Sequence, residues 1–293
     1  MKYALYTGCV AKGAGRELMS ATVYAAERLG IQIKEMKDAS CCGAGAIQED
    51  NPLLGDALNA RTFALAEEQG LDIMTICGTC QGVMRTAQIK MDHNPAHKER
   101  VNAALKRDTG REYKGTVKVK HFYQIVEEDY GLENVVKRVT RKLTGLKVAP
   151  FYGCYVLRPH EYSDTKVPDR PDYLEKLIAA VGATPVDYAE KQKCCGFPIL
   201  MPNKANALQL SGNATIGALK AGADVMVTPC PLCHLNMDSY QPEIEEMLDR
   251  KINMPVLHYP QLIALALGAN LDELKMNTHV VLPNEKLLEI AAR

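Results

Sequence analysis

The chain has 293 residues, 47% apolar and 24% charged, with 35 acidic and 35 basic residues and a formal net charge of zero. That length and apolar content support a real core in one large or two ordinary domains, while the charge balance argues against an extended nucleic-acid surface, which needs a basic excess. MKYALYTGC opens without the basic region, long apolar run and small-residue cleavage site of an export signal, and no run reaches the about 18 apolar residues of a membrane span, so a cytoplasmic protein is expected.

Residues 3–7 read as a short strand. Residues 15–29 read as a helix, because Leu18, Thr22, Ala25, Ala26 and Leu29 recur at helical spacing and Gly30 supplies a stop. IQIKEM at 31–36 alternates as a second strand does. A helix begins after Asn51, with Pro52 at its first position, and Gly70 closes it. LDIMTI at 71–76 is a third, buried strand; a helix is expected beyond Cys80, and 97–107 is helical too. KVKHF at 118–122 is the fourth strand. The second half repeats the series with VAPFY, a helix over 172–181, Gly182, TPVDYA, a CCG loop, a helix over 204–221, Gly222, ADVMVT, a CxxC helix and PVLHY. The alternation predicts an α/β protein of two similar domains, 1–143 and 144–293, each a small parallel sheet flanked by helices and related by internal duplication. His93 and His97 stand four apart, but Pro95 between them disfavours one regular helix, and both are expected at the surface with the basic stretch that follows.

All ten cysteines obey the repeat. Cys9, Cys41, Cys42, Cys77 and Cys80 space as C-x31-CC-x34-C-x2-C, and Cys154, Cys194, Cys195, Cys230 and Cys233 as C-x39-CC-x34-C-x2-C. LYTGC at 5–9 pairs with FYGC at 151–154, SCCGAG at 40–45 with KCCGFP at 193–198, and His121 and Gln124 fall opposite His258 and Gln261. Cys9, Cys77, Cys154 and Cys230 follow strands 1 and 3 of their copies, and each CC pair follows strand 2. Five thiols per copy should therefore meet at the carboxyl ends of neighbouring strands, where ligands bind in open α/β sheets. A disulfide framework is a poor explanation in a reducing compartment. Zinc uses four thiolates and leaves a fifth over. Dithiol chemistry at CxxC explains two. Inert core thiols leave Gly8, Gly43, Gly78, Gly153 and Gly196 unexplained, since glycine there lets backbone approach a bulky group. Iron–sulfur clusters favour thiolates, although the common ferredoxin spacing is absent. Spacing alone leaves these four readings standing.

The doubled five-cysteine pattern, with CCG in each copy and reaching over roughly residues 3–265, resembles the cysteine-rich CCG domain. Two full copies without a ferredoxin module are similar to the catalytic B subunits of heterodisulfide reductase from methanogenic archaea. The resemblance implies an iron–sulfur oxidoreductase subunit that reduces the coenzyme M–coenzyme B heterodisulfide to two thiols. It implies two one-electron transfers from two noncubane 4Fe–4S clusters, with no catalytic protein residue beyond them. Cys9, Cys41, Cys42, Cys77 and Cys80 would hold one cluster, and Cys154, Cys194, Cys195, Cys230 and Cys233 the other. The sulfonate and phosphate of such a substrate call for cations or N–H groups. Lys12 and Arg16, soon after Cys9, and Arg158 and His160, soon after Cys154, are the substrate-binding candidates. His234, beside Cys233, is the candidate proton donor or cluster hydrogen-bond partner. The implied partners are a ferredoxin-like iron–sulfur C subunit and, upstream, a flavin-containing A subunit with a hydrogenase or formate dehydrogenase; this chain has no Rossmann fingerprint of its own. GFP replaces GAG after the second CC pair, and Pro231–Leu232 replaces Gly78–Thr79, so the packing around the two sets should differ. Two other readings stand beside this one: a CCG subunit of another oxidoreductase, of hydroxyacid dehydrogenase or thiol:fumarate reductase type, and a zinc-binding structural module.

Overall fold

The computed structural model describes residues 1–157 and 172–293. Strands β1 (Lys2–Tyr6), β2 (Gln32–Glu35), β3 (Ile73–Thr75) and β4 (Val119–His121) form one parallel sheet in the order β2-β1-β3-β4. Strands β5 (Lys147–Pro150), β6 (Thr184–Pro185), β7 (Val225–Thr228) and β8 (Val256–His258) form a second in the order β6-β5-β7-β8. The internal strands β3, IMT, and β7, VMVT, are buried on both faces and apolar up to a closing buried threonine, whereas the edge strand β2, QIKE, is largely exposed. This is the doubly covered α/β architecture the alternation predicts, built twice.

The helices start and stop where local chemistry tells them to. Arg16–Leu29 buries Leu18, Ala21, Ala25, Ala26 and Leu29 and ends at Gly30, whose φ of 72° is left-handed. Pro52–Glu67 is capped by Asn51, whose side chain accepts from Leu54 N at 3.1 Å. The helix expected after Cys80 instead begins at Gly78, because extended Cys77 serves as its N-cap. His93 ends that helix and Pro95 opens the next, Pro95–Thr109. His93 is exposed, but His97 is not a plain surface residue: its Nε2 lies 2.9 Å from Oδ2 of Asp56, a carboxyl only 1% exposed.

Side chains alternate across each sheet, so both faces feed cores that run through the two repeats. Tyr3, Leu5, Val148 and Val225 join one cluster, and Ala4, Tyr6, Ala149 and Met226 the other. The repeats also grip one another reciprocally. Gly78–His93 packs on Cys154–Leu157, and Gly8–Lys12 packs on Pro231–Asp238. The first contact is so close that a Cβ on Gly82 would lie 2.6 Å from Tyr155 O. Both cysteine-bearing edges are thereby brought to one seam.

Candidate metal centre

Strand order makes the thiols converge. Because β2, β1 and β3 are neighbours, the segments beyond them open side by side, and the same holds for β6, β5 and β7. Cys9 lies in the short helix Gly8–Lys12, Cys41 and Cys42 lie in the loop after β2, and Cys80 sits in the first turn of Gly78–His93, three residues after its N-cap Cys77. Cys154 opens Cys154–Leu157, Cys194 and Cys195 lie in the loop after β6, Cys230 caps Pro231–Asp238, and Cys233 sits in its first turn.

Buried polar side chains fix both CC loops from below. Asn59 Nδ2 donates to Cys42 O at 3.0 Å, and Ser211 Oγ and Asn236 Nδ2 each donate to Cys195 O at 2.6 Å. Sequence reasoning missed these three residues. Asn59 and Ser211 stand 17 and 16 residues beyond the carbonyls they hold, so the repeat offset was the available signal. Upstream, Tyr6 Oη donates to Ser40 O at 2.8 Å and Arg61 to Asp38 O at 2.7 Å, anchoring the approach to Cys41.

The ten sulfurs form one continuous series of contacts. In the first repeat it runs Cys9–Cys41–Cys42–Cys80–Cys77, with Cys42 and Cys80 at 3.5 Å. In the second it runs Cys230–Cys233–Cys195–Cys194–Cys154, with Cys194 and Cys154 at 4.0 Å. Cys77 meets Cys230 and closes the gap between repeats. Thr79 Oγ1, 3.3 Å from Cys230 Sγ, and Gly78 N, donating to Pro229 O at 3.2 Å, reinforce that junction. The centre of the series is buried; Cys9 and Cys41 are exposed, and Cys154 and Cys194 are half-buried.

Neighbouring thiols cannot all ionise. Hydrogen bonds from Cys42 and Cys9 hold the Cys41 thiol down at about 2, and bonds from Cys233 and Cys77 hold Cys230 well below its ordinary value. Each thiolate pushes its neighbour up: Cys41 raises Cys42 to about 11, and Cys230 raises Cys77. Two thiolates 4 Å apart repel by about 4 kcal/mol at an effective dielectric constant near 20. Ten thiolates in this series need positive charge among them. The donors suit a thiophilic metal, and the backbone leaves room: a Cβ on Gly8 would lie 3.4 Å from Cys80 Sγ, and one on Gly153 only 3.0 Å from Cys233 Sγ. Gly8 and Gly153 also have φ of 73° and 77°, which favour glycine.

The other sequence candidates separate. Lys12 and Arg16 are exposed on the Cys9 side, with Lys12 Nζ 3.2 Å from Lys37 O. Arg158 and His160 lie outside the described residues. His234 is buried rather than at the surface. Its Nε2 faces Val256 O at 2.9 Å, and its ring stacks on His258 with centroids 3.8 Å apart. The paired residues His121 and His258 end β4 and β8, and each donates its backbone N–H to the glutamine three residues on, Gln124 or Gln261. His121 then reaches across the seam, its Nε2 3.0 Å from Pro229 O, the carbonyl preceding Cys230.

A family profile described as the cysteine-rich domain, CCG, matches residues 3–85 and again 148–238. The 8-methylmenaquinol:fumarate reductase membrane anchor subunit of Wolinella succinogenes is 34% identical over 96% of this chain and 97% of its own length. The B subunit of the ferredoxin/F(420)H(2)-dependent CoB-CoM heterodisulfide reductase of Methanosarcina acetivorans is 33% identical over 99% of this chain and 98% of its own. A protein of Archaeoglobus profundus, named as like the B subunit of heterodisulfide reductase, is 31% identical over 99% and 97%. Among solved structures, a hypothetical protein from Helicobacter pylori shares the fold, with a TM-score of 0.77 at 18% identity; the match covers 97% of this chain and 52% of that one. No helix among the described residues is long and apolar enough to cross a membrane.

Proposed function

We propose, for a chain that belongs to the cysteine-rich CCG domain family, the role of the heterodisulfide-reducing subunit of a multi-subunit iron–sulfur oxidoreductase. The observation that carries the reading is the meeting of two complete five-cysteine sets at Cys77 and Cys230. In the proposal each set holds one noncubane 4Fe–4S cluster, and the boundary between repeats falls between residues 143 and 144. The clusters, when bound, supply reducing equivalents one at a time. The overall change is RS–SR′ + 2e⁻ + 2H⁺ → RSH + R′SH, the electrons arriving from a ferredoxin-like partner subunit that draws on a flavin-containing one.

The chain's own residues prepare the site. Asn59, Ser211 and Asn236 hold the CC carbonyls and so fix the backbone that carries the thiols. Apolar Tyr155, Val156, Phe197 and Leu232 line a recess beside Cys154, Cys195, Cys230 and Cys233, which limits water around the bond to be cleaved. Lys12 and Arg16 stand on the exposed Cys9 side, available to an anionic substrate group. His234 is left out of the proton-donor role, because its Nε2–H is committed to Val256 O.

The test is direct. Chain purified without oxygen should carry about eight irons with matching sulfide. With a low-potential donor it should reduce the coenzyme M–coenzyme B heterodisulfide to two thiols. Stoichiometric zinc on the cysteines and negligible iron would sink the reading. A second reading has its own support in the Wolinella succinogenes relative, named for a menaquinol:fumarate reductase. On that reading the same thiol array passes electrons between a quinol and a fumarate-reducing partner. Quinol-dependent cluster reduction without heterodisulfide turnover would favour it.

A further inference from the structure

Three buried side chains from different parts of the chain, none of them a cysteine, converge. Glu17 stands on Arg16–Leu29 of the first repeat, His234 on Pro231–Asp238, and His279 just beyond the turn Met276–Thr278. They are 5%, 2% and 5% exposed, and one ligand-capable atom of each lies within 4.8 Å of the others. A buried carboxyl group flanked by imidazole nitrogens from another part of the chain is a donor set that suits a cation.

The hydrogen bonding around them orients the free atoms. His234 must carry its proton on Nε2 to donate to Val256 O at 2.9 Å, which leaves Nδ1 as a bare lone pair with no partner. Gln261 Nε2 donates to His279 Nε2 at 3.0 Å, which puts the proton of that ring on Nδ1 and makes Nε2 its lone-pair atom; a metal there displaces this one bond, and Gln261 Nε2 keeps Leu274 O as an acceptor. Asp238, one turn after His234, accepts from Val280 N and Val281 N and so pins the segment that carries His279. His258 Nε2 lies 3.0 Å from Glu17 Oε1 and fixes the carboxylate. A ligating carboxylate held by its own hydrogen-bond donor is the usual outer support of a metal site.

We propose that Glu17, His234 and His279 bind a divalent transition-metal ion of zinc type, clamping the first repeat to the second. Two nitrogens and one carboxylate oxygen suit such an ion, whereas calcium and magnesium prefer all-oxygen sets. Tetrahedral ligands about zinc stand about 3.3 Å apart, so closure asks each side chain to move by about 1 Å. The fourth position falls to a water or to a neighbouring protein group.

The inference is independent of the heterodisulfide reading, because zinc and iron are counted separately. The full chain, purified anaerobically, is given excess zinc, desalted, and analysed for metals. The expected result is one zinc per chain beyond the iron, with an absorption-edge first shell of nitrogen and oxygen at about 2.0–2.1 Å and no sulfur near 2.3 Å. Glu17→Gln and His279→Gln should lose that zinc while keeping their iron, and His258→Gln should weaken its binding roughly 10–100-fold. No retained zinc, a sulfur-containing shell, or zinc unaffected by His279→Gln would overturn the proposal. Should the variants fail to fold, the wild-type edge spectrum decides alone.

Discussion

Cys77, two residues past β3, and Cys230, two residues past β7, face each other across the seam and shift each other's ionisation although 153 positions separate them. Neither lies in the loop that gives the repeat its CC signature. The contact arises because each caps a helix that packs against the opposite repeat. The two metal sites proposed for the sulfurs are therefore adjoining, and damage to one set should be readable separately from damage to the other.

Replacing Cys42 with Ala should remove about half of the iron, and replacing Cys195 should remove the other half. Both thiols are buried and each links its CC loop to the CxxC turn, Cys42 to Cys80 and Cys195 to Cys233. Iron and sulfide analysis with the visible spectrum checks this. Full iron content in either variant would mean that five-thiolate coordination is wrong in that repeat.

Gly153→Ala should be costly twice over. The residue sits at φ 77°, and a Cβ would lie 3.0 Å from Cys233 Sγ. The left-handed conformation alone costs about 1–2 kcal/mol for alanine. A lowered unfolding midpoint together with a shifted cluster spectrum is expected. Gly30→Ala is the control: its φ is also positive, but nothing lies within 4 Å, so it should lower stability and leave the spectrum unchanged.

Much of this is legible in the sequence, and the part that is not has a physical cause. Thiols are written in residue type, so the ten cysteines and their offsets point directly to the candidate site. Strand and helix periodicity marks the elements, and the order β2-β1-β3-β4 then makes neighbouring loops converge. The start of the helix at Gly78 is hidden because no polar N-cap announces it; Cys77 caps it by extended geometry without a side-chain bond. His97 reads as a surface residue because its partner Asp56 lies 41 residues away on another helix. Glu17 gives no signal at all: its partners are His258 and the histidines around it, which only tertiary packing brings near.

Asn59→Ala should loosen the first CC loop without touching a thiol. Asn59 donates to Cys42 O and Gly55 O from a site 1% exposed, so its loss takes a buried hydrogen bond from each carbonyl. A buried polar group left unsatisfied costs about 1–3 kcal/mol. The expected signature is a lower unfolding midpoint and faster loss of iron to a chelator from the first set. Ser211→Ala should be milder at the second set, because Asn236 still donates to Cys195 O.

His121 predicts how the seam responds to acid. It is fully buried between Pro229 O, which faces its Nε2 at 3.0 Å, and Tyr123 N, which donates to its Nδ1 at 3.1 Å. Burial pulls its imidazole down to about 4 from an ordinary 6.5. The unfolded chain therefore takes up the proton more readily than the folded one. Stability is complete above pH 6.5 and drains as pH falls toward 4, by about 1.4 kcal/mol per pH unit and about 3 kcal/mol in all from this group. Protonation also leaves the Tyr123 N–H facing a nitrogen that can no longer accept. Urea unfolding between pH 7 and 4 should show this acid limb, and His121→Asn, less stable at pH 7, should show a shallower one. Equal slopes in the two proteins would mean that His121 is already protonated in the fold, and that its bond to Pro229 O is made by a charged ring.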